Sequence, residues 1–288
     1  MSLKLLNVSH IYAKDTPFEF AALKDININI DKTEFIAVIG HTGSGKSTLV
    51  QHMNGLLLPT SGTIFIDDVD ITQNKTDRFN ARRKVGLVFQ YAEHQLFEET
   101  IFRDIAFGPK NLKLTNEEIE ARVCEAMELV GLPYEEYKDR SPFDISGGQM
   151  RRVAIAGVLS MKPDIIILDE PTAGLDPLGK KDILNSIFKL YKTHNITVIL
   201  VSHNMEEVAQ MAERIIVMCQ GGIIMDAAPA QVFSQAEKLE EIGLRAPDIS
   251  YLMKELKKHG LDIDGEIFTV DGAKEELLKK YRGGDINV

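Results

Sequence analysis

The fold is decided by an eight-residue loop between an apolar run and a helical pattern, Gly40-His41-Thr42-Gly43-Ser44-Gly45-Lys46-Ser47. It matches the pattern G-x-x-x-x-G-K-[ST], whose glycines let successive backbone N–H groups turn toward phosphate oxygens. The helix that follows adds the positive end of its dipole. We expect Lys46 to neutralise β- and γ-phosphate charge and the Ser47 hydroxyl to coordinate Mg²⁺. The loop therefore predicts a nucleotide-phosphate site on an α/β scaffold.

Apolar patterns on both sides of this loop predict a mainly parallel sheet. Phe35–Ile39, Ile165–Leu168 and Thr197–Val201 are short continuous apolar runs, which are typical of strands buried on both faces. Helical patterns follow each of them, so strands and helices alternate along the chain. Leu3–Val8 and Ile26–Ile30 instead alternate apolar and polar residues, as half-exposed antiparallel strands do. We expect an α/β fold with a parallel core sheet and N-terminal antiparallel strands.

The middle and the end of the chain have a different, mainly helical pattern. In residues 91–161, Thr115-Asn116-Glu117-Glu118 resembles a capping box, and a second helix should begin near Gly147. This pattern predicts a helical subdomain inserted between two halves of the sheet, inside a domain that covers residues 3–230. Residues 231–288 contain only short helical stretches and predict a small C-terminal subdomain.

Two carboxylates, Asp169 and Glu170, end the predicted strand Ile165–Leu168. The carboxyl ends of parallel strands are where ligands bind in open α/β sheets. Asp169 suits the Mg²⁺ shell, directly or through water. Glu170 suits a general base that takes a proton from an attacking water. An acidic strand end that faces solvent is the alternative, but beside a phosphate-binding loop the pair predicts nucleotide hydrolysis.

A second anion site is predicted where Ser146-Gly147-Gly148-Gln149 opens a helix after Ile145. The serine hydroxyl and the backbone N–H groups that follow it would form this site at the helix N-terminus. One phosphate tail needs only one such loop. A second loop therefore suggests that the γ-phosphate is held from the opposite side as well.

In this order, the motifs resemble the ATP-binding cassette (ABC) family, whose signature is Leu-Ser-Gly-Gly-Gln, with Ile145 in place of the leucine. The resemblance implies that Mg-ATP is bound and hydrolysed, and that two cassettes pack head to tail, each signature closing the partner's site. It also implies five further roles: adenine stacking by Tyr12, ATP contact by Thr48, sensing of Mg²⁺ and the attacking water by Gln90, communication between cassettes through Asp176, and γ-phosphate contact by His203.

Longer stretches resemble one subgroup, the energy-coupling factor transporters, which are bacterial and archaeal importers of vitamins and transition metals. The similar stretches are Pro17–Glu19, Gly40–Gly43, Gln95–Thr100, Phe107–Pro109 and Gln149–Leu159. Within the subgroup the chain is most similar to the second of two paralogous ATPase subunits. One departure is Tyr91-Ala92, at the implied membrane-subunit contact, where an aromatic residue followed by proline is expected.

This resemblance implies three protein partners and a location. The partners are a paralogous ABC ATPase subunit or a second copy of this chain, a transmembrane coupling protein, and a substrate-binding membrane protein. The location is the cytoplasmic face of the cell membrane, as a peripheral protein. The C-terminal subdomain would then help to hold the two ATPases together.

Charge and hydropathy limit the other classes of partner. The formal net charge of the 288 residues is −10, whereas nucleic-acid-binding domains are usually basic, so no nucleic acid is expected. No segment approaches the roughly 18 apolar residues that span a bilayer, and Met1–His10 is not typical of a signal peptide. Any membrane role is therefore expected to act through a partner.

Other nucleotide-binding proteins fit the sequence less well. A kinase would need neither Ser146–Gln149 nor His203. Cassette ATPases of DNA repair carry long coiled coils between the residues equivalent to Ser47 and Asp169, where this chain has only a short helical insert. Translation-associated cassette ATPases normally carry two cassettes in one chain. A non-catalytic scaffold would lack Glu170 or His203, and both are present.

Overall fold

The structure is a computed structural model that describes residues 2–31, 33–264 and 266–282. The strands are β1 (Leu3–Tyr12), β2 (Phe20–Ile30), β3 (Phe35–Ile39), β4 (Ser61–Ile66), β5 (Val69–Asp70), β6 (Val85–Val88), β7 (Ile165–Asp169), β8 (Thr197–Val201), β9 (Arg214–Cys219) and β10 (Gly222–Ala227). The helices are α1 (Lys46–Met53), α2 (Lys75–Lys84), α3 (Ile101–Asn111), α4 (Asn116–Leu129), α5 (Tyr134–Tyr137), α6 (Gly147–Leu159), α7 (Pro177–His194), α8 (Met205–Met211), α9 (Pro229–Phe233), α10 (Ala236–Glu241), α11 (Asp248–Lys258) and α12 (Val270–Arg282).

The strands form two sheets. One is antiparallel, in the order β2-β1-β4-β5, and the other has the order β10-β9-β3-β8-β7-β6. In the second sheet β9, β3, β8, β7 and β6 are mutually parallel, and β10 is added antiparallel at the edge. The carboxyl ends of the parallel strands therefore meet at one edge, with Asp169 paired to Val201. This topology confirms the predicted fold class.

Burial explains why the central strands are continuously apolar. On β7, Ile166 and Leu168 belong to the core under the helical insert, whereas Ile165 and Ile167 belong to the core shared with the antiparallel sheet. Successive strand residues point to opposite faces, so a strand covered on both sides needs apolar side chains throughout. All four of these residues are at most 1% exposed.

The helical insert contains α3, α4 and α6, which pack on one another and on the parallel sheet. The capping box predicted at the start of α4 is confirmed: the Glu118 N–H donates to Thr115 Oγ1, and the Thr115 N–H donates to Glu118 Oε2 at 2.9 Å. Gly131 follows the helix with a φ of 72°, a left-handed conformation that suits glycine.

Removing this cap should destabilise the helical insert. Thr115→Ala leaves the Glu118 N–H without its side-chain acceptor, so we expect the free energy of unfolding to fall by about 1 kcal/mol. Thr76→Ala is the control, because Thr76 is exposed inside α2 and alanine favours helix. Urea unfolding measures both variants. Equal midpoints for wild type and Thr115→Ala would show that the cap contributes nothing.

Several elements differ from the sequence patterns. The apolar pattern after the phosphate-binding loop continues to Leu56, but the helix ends at Met53, because Gly55 takes a φ of 74° and turns the chain. The patterns gave no sign of α2, of which only Ala81 is buried, so it has no apolar stripe. The edge strand β10 was missed because its apolar residues do not alternate with polar ones and none of its residues is buried.

The C-terminal elements divide between two clusters of buried residues. Val232 and Phe233 of α9 and Leu239 of α10 share a core with Ile39 and Val217 of the parallel sheet. A smaller cluster joins α11 and α12 through residues such as Met253 and Ala273. Residues 283–288 of the expected C-terminal subdomain lie outside the described ones. No described helix is long and apolar enough to cross a bilayer.

Candidate functional site

The phosphate-binding loop, residues 40–47, turns between β3 and α1 where the backbone is crowded. Gly45 has a φ of 104°, and a Cβ there would lie 2.6 Å from the Ala22 carbonyl oxygen. A Cβ on Gly40 would lie 2.5 Å from the Met218 carbonyl oxygen. Both positions therefore require glycine, and the loop lies against β2 and β9.

Lys46 curls back over this loop. Its Nζ donates to the carbonyl oxygens of Gly40 at 2.7 Å and His41 at 3.1 Å. Burial lowers the pKa of Lys46, and the nearby charges of Glu170 and Asp169 oppose that shift. The ammonium thus lies between the loop and two carboxylates, where it would meet a bound phosphate.

Ser44 is the one loop residue of 40–47 that does not line the cavity above the loop. It is 1% exposed, and its hydroxyl oxygen has no hydrogen-bond partner among the described residues. The Ser44 backbone closes the turn instead: its N–H donates to the His41 carbonyl at 3.1 Å, and its carbonyl accepts from the Gly221 N–H.

The two carboxylates at the end of β7 are placed differently. Asp169 is 6% exposed, and burial raises its pKa, while a hydrogen bond from Ser47 and the charge of Lys46 act in the opposite direction. Glu170 has left the strand and has a φ of 54°. Such a conformation is uncommon for a residue other than glycine and often marks a functional position.

Glu170 also contacts His203 of the neighbouring strand end. Its Oε2 lies 2.5 Å from His203 Nδ1, and the His203 side chain is 73% exposed. Burial raises the pKa of Glu170, and the charge and hydrogen bond of His203 moderate the shift. The Glu170 carboxylate is therefore largely shielded from solvent and contacts the His203 imidazole at the edge of the cavity.

A buried glutamate ties these two strand ends together. Glu207, on α8, accepts hydrogen bonds at 3.2 Å from the hydroxyls of Thr172 and Ser202. Thr172 lies in the turn after Glu170, and Ser202 immediately precedes His203. Burial raises the pKa of Glu207. This network fixes the spacing between the Glu170 and His203 loops.

A cavity of about 940 Å³ joins these groups. Twelve of the residues selected from the sequence line it: Gly40, His41, Thr42, Gly43, Gly45, Lys46, Ser47, Thr48, Gln90, Asp169, Glu170 and His203. Tyr12 does not line the cavity, but its hydroxyl lies 3.3 Å from Thr48 Oγ1, at the cavity's edge. Gln90 lies in the turn two residues beyond the end of β6 and is exposed.

The predicted second anion site lies in a separate cavity of about 590 Å³. Ser146, Gly147, Gly148 and Gln149 line it, and so does Asp176. Ser146 and Gln149 form a capping box at the start of α6, and Asp176 caps α7 by accepting from the Gly179 N–H at 2.9 Å. Within one chain, the predicted second anion site and the phosphate-binding loop therefore line different cavities.

The first cavity has the chemistry that Mg²⁺ requires. Ser47, Asp169 and Gln90 present a hydroxyl, a carboxylate and an amide oxygen, and Mg²⁺ prefers such oxygen ligands with substrate phosphates completing its shell. The Ser47 hydroxyl already hydrogen-bonds the buried Asp169 carboxylate. Among the described residues, no group of three or more His, Cys, Asp or Glu side chains is arranged to hold a metal ion.

Comparison with known proteins agrees with this geometry. The ABC transporter family model matches residues 23–173. The chain is 57% identical over 287 residues to the energy-coupling factor transporter ATP-binding protein EcfA2 of Clostridium tetani, covering 100% of both chains. It is 56% identical over 285 residues to EcfA2 of Clostridium perfringens, covering 99% of this chain and 100% of the other. The chain belongs to the ABC transporter ATPases of energy-coupling factor transporters.

Solved structures of this family superpose well on the fold. The protein cbiO1 of Clostridium perfringens, described as part of the ABC transporter complex cbiONQ, has a TM-score of 0.74 and 39% identity, covering 88% of this chain and 98% of that one. The cassette MJ0796, solved as a dimer in a post-hydrolysis state bound to ADP and Pi, has a TM-score of 0.70 and 32% identity, covering 78% and 98%. The chain is thus an ATP-binding ATPase subunit of a transporter.

Sequence patterns missed one charged residue whose hydrogen-bond partners adjoin this site. Arg151 of α6 is 2% exposed and forms an ion pair with Glu93, which follows Gln90 in a short 3₁₀ turn. A signal was present: Arg151 begins the buried stripe of α6 that continues with Ile155 and Leu159 at i+4 spacing. A charge at the start of an apolar stripe indicates a buried ion pair.

Proposed function

We propose that this chain binds Mg-ATP in the 940 Å³ cavity, hydrolyses it to ADP and phosphate, and so drives an energy-coupling factor importer. The observation that carries the proposal is the meeting of Lys46, Asp169, Glu170 and His203 around one cavity. A cation, a buried carboxylate, a candidate base and an imidazole there suit phosphoryl transfer to water, in which catalysis is mostly positioning and electrostatics.

Binding begins at the phosphate-binding loop. Its backbone N–H groups and the N-terminus of α1 face the phosphates, and Lys46 exchanges its bonds to the Gly40 and His41 carbonyls for phosphate oxygens. Magnesium, held by Ser47, Asp169 and Gln90, would neutralise charge on the β- and γ-phosphates. Tyr12 stacks on the adenine, with its hydroxyl beside Thr48.

Hydrolysis is assigned to Glu170 and its neighbours. The Glu170 carboxylate accepts a proton from a water placed in line with the γ-phosphate. His203, which lies 2.5 Å from Glu170, orients that carboxylate and donates to the γ-phosphate. Gln90, on the adjacent turn, orients the same water.

The separate position of Ser146 supports a dimer of cassettes. Ser146 and Asp176 line a cavity apart from the chain's own phosphate-binding loop. A second cassette packed head to tail would receive this signature segment against its own ATP, and would supply its own signature in return. The proposed partner is a paralogous ATPase subunit, with a second copy of this chain as the alternative. The C-terminal elements α11 and α12 would add to this interface.

The membrane components complete the proposed importer. A transmembrane coupling protein would contact the exposed residues after Gln90, and an exchangeable membrane protein would bind a vitamin or transition-metal ion. The chain would then be peripheral on the cytoplasmic face of the membrane. This placement is consistent with the similarity to cbiO1, a part of the cbiONQ complex.

An affinity pull-down of the tagged chain from detergent-solubilised native membranes tests the importer. We expect a second cassette ATPase and a multi-span membrane protein at equal abundance, with several small membrane proteins at lower abundance. Mass spectrometry identifies them. Recovery of only soluble proteins, DNA or ribosomes would contradict the assignment to an importer, but it would not affect the assignment as an ATPase.

The role of Tyr12 is tested by removing its ring. Tyr12→Ala should raise the Kd for ATP by roughly 30-fold, because stacking of a base on an aromatic ring contributes about 2 kcal/mol. Tyr12→Phe should stay within about threefold of wild type, since it loses only the contact to Thr48. Inorganic tripolyphosphate, which has no base, should bind all three proteins equally. A uniform loss for ATP and tripolyphosphate would contradict stacking.

A further inference from the structure

The Arg151 side chain joins helix α6 to two loops by hydrogen bonds. Its Nε and Nη2 donate to the Glu93 carboxylate at 2.9 and 2.6 Å. Its Nη1 donates to the carbonyl oxygens of Pro171 at 3.0 Å and Ala173 at 2.5 Å. A guanidinium carries donors in a rigid planar fork, so it can hold a carboxylate on one side and backbone carbonyls on the other.

Each of these partners adjoins a residue of the proposed ATP site. Glu93 is three residues after Gln90, and Pro171 directly follows Glu170. Ala173 donates its N–H to the Glu170 carbonyl at 3.1 Å, closing the turn in which Glu170 holds its left-handed conformation. Such a backbone conformation persists only where the surroundings maintain it. Arg151 holds both ends of that turn through the two carbonyls.

The third connection is through α6 itself. Arg151 lies five residues after Ser146, the N-cap of α6, so a rigid helix joins the fork to the signature segment. Arg151 therefore contacts the loop of Gln90 and the turn of Glu170 while sharing a helix with Ser146. In the proposed dimer, Gln90 and Glu170 act on the ATP bound by their own chain, and Ser146 acts on the ATP bound by the partner.

Burial makes this junction stiff. Arg151 is 2% exposed and Glu93 is 14% exposed. Burial acts to raise the pKa of Glu93, but the hydrogen bond and charge of Arg151, together with a backbone hydrogen bond and the charge of His94, hold that pKa below its ordinary value. A buried, bidentate pair has one arrangement, whereas an exposed pair samples many.

We propose that Arg151 is a positioning residue for ATP hydrolysis. Through Glu93 it positions the loop of Gln90, and through the Pro171 and Ala173 carbonyls it positions Glu170. Helix α6 links both loops to the signature segment. Arg151 does not line the 940 Å³ cavity. This inference rests on the proposed function, because it assigns Arg151 to the hydrolytic step. Ground-state ATP binding by Lys46 and Tyr12 is independent of it.

The first test separates turnover from binding. In the chain assembled with its co-purified partners, Arg151→Lys and Glu93→Gln should each lower kcat by about 10- to 100-fold, as losses of residues that orient a site do. The Kd of the full chain for a fluorescent ATP analogue should stay within about threefold. Arg122→Lys is the matched control, because Arg122 is half-buried and donates to the Ser160 and Met161 carbonyls at the far end of α6. It should leave kcat unchanged.

A paired variant distinguishes positioning from stability. Breaking the ion pair singly leaves a buried charge unpaired and should lower the melting temperature, whereas Glu93→Gln with Arg151→Met removes both charges and should restore most of it. We expect kcat of the paired variant to remain at least about 10-fold low. Recovery of kcat along with the melting temperature would overturn the inference, because the pair would then serve only stability.

Amide hydrogen exchange tests the same point without hydrolysis. In the ATP-bound full chain, Arg151→Lys should speed exchange in residues 91–95 and 171–175 together, and Arg122→Lys should speed neither. Unchanged exchange in both segments would refute the junction. If the wild-type complex hydrolysed no ATP, the proposed function would fail, while the exchange result would still decide whether Arg151 holds these loops.

Discussion

Glu170→Gln should reduce the kcat for ATP hydrolysis by about 10²- to 10⁴-fold, the contribution of a positioned general base. The amide keeps the shape of the carboxylate and can still hydrogen-bond His203, which lies 2.5 Å away. It cannot accept a proton from water. Since Lys46 and the phosphate-binding loop are untouched, the Kd for ATP should stay within about threefold of wild type.

The control for this prediction lies on the same strand. Asp164 is an exposed carboxylate immediately before β7, at the end opposite Glu170. Asp164→Asn should hydrolyse ATP at the wild-type rate. Steady-state phosphate release and equilibrium nucleotide binding measure both variants. A wild-type kcat for Glu170→Gln would show that another group takes the proton, and a loss of binding would show a structural defect instead.

Lys46→Ala should raise the Kd for ATP by roughly 100-fold. Hydrogen bonds to a charged group contribute up to about 3 kcal/mol, which corresponds to this change in Kd. Wild-type Lys46 is half-buried and already oriented over the loop by the Gly40 and His41 carbonyls, so little side-chain freedom remains to be lost on binding. The loss should be smaller for AMP, which lacks the β- and γ-phosphates.

Isothermal titration with ATP, ADP and AMP measures the effect of this substitution. Lys113→Ala is the control, because Lys113 lies after α3, outside the residues that line the cavity. Undiminished ATP affinity in Lys46→Ala would refute the assignment of the loop. An equal loss for ATP and AMP would place Lys46 away from the β- and γ-phosphates.

Motifs that act through neighbouring residues were predictable from the sequence. The phosphate-binding loop, the pair Asp169-Glu170 and the helix start at Ser146 each carry their chemistry within a few consecutive residues. The continuous apolar runs of β3, β7 and β8 predicted a sheet covered on both faces, which the structure has. Their roles in binding and hydrolysis remain predictions for the experiments above.

Contacts between distant residues needed the tertiary structure. Glu170 and His203 are 33 residues apart, and Arg151 and Glu93 are 58 apart. Which strand ends meet depends on the order β8-β7-β6, and which face of α6 carries Arg151 inward depends on how that helix packs. The sequence alone determined the buried parallel strands and the loop chemistry, because backbone preference and apolar spacing are local. Only the tertiary structure decided the Arg151 junction and the separation of the two cavities, because these depend on side chains brought together by packing.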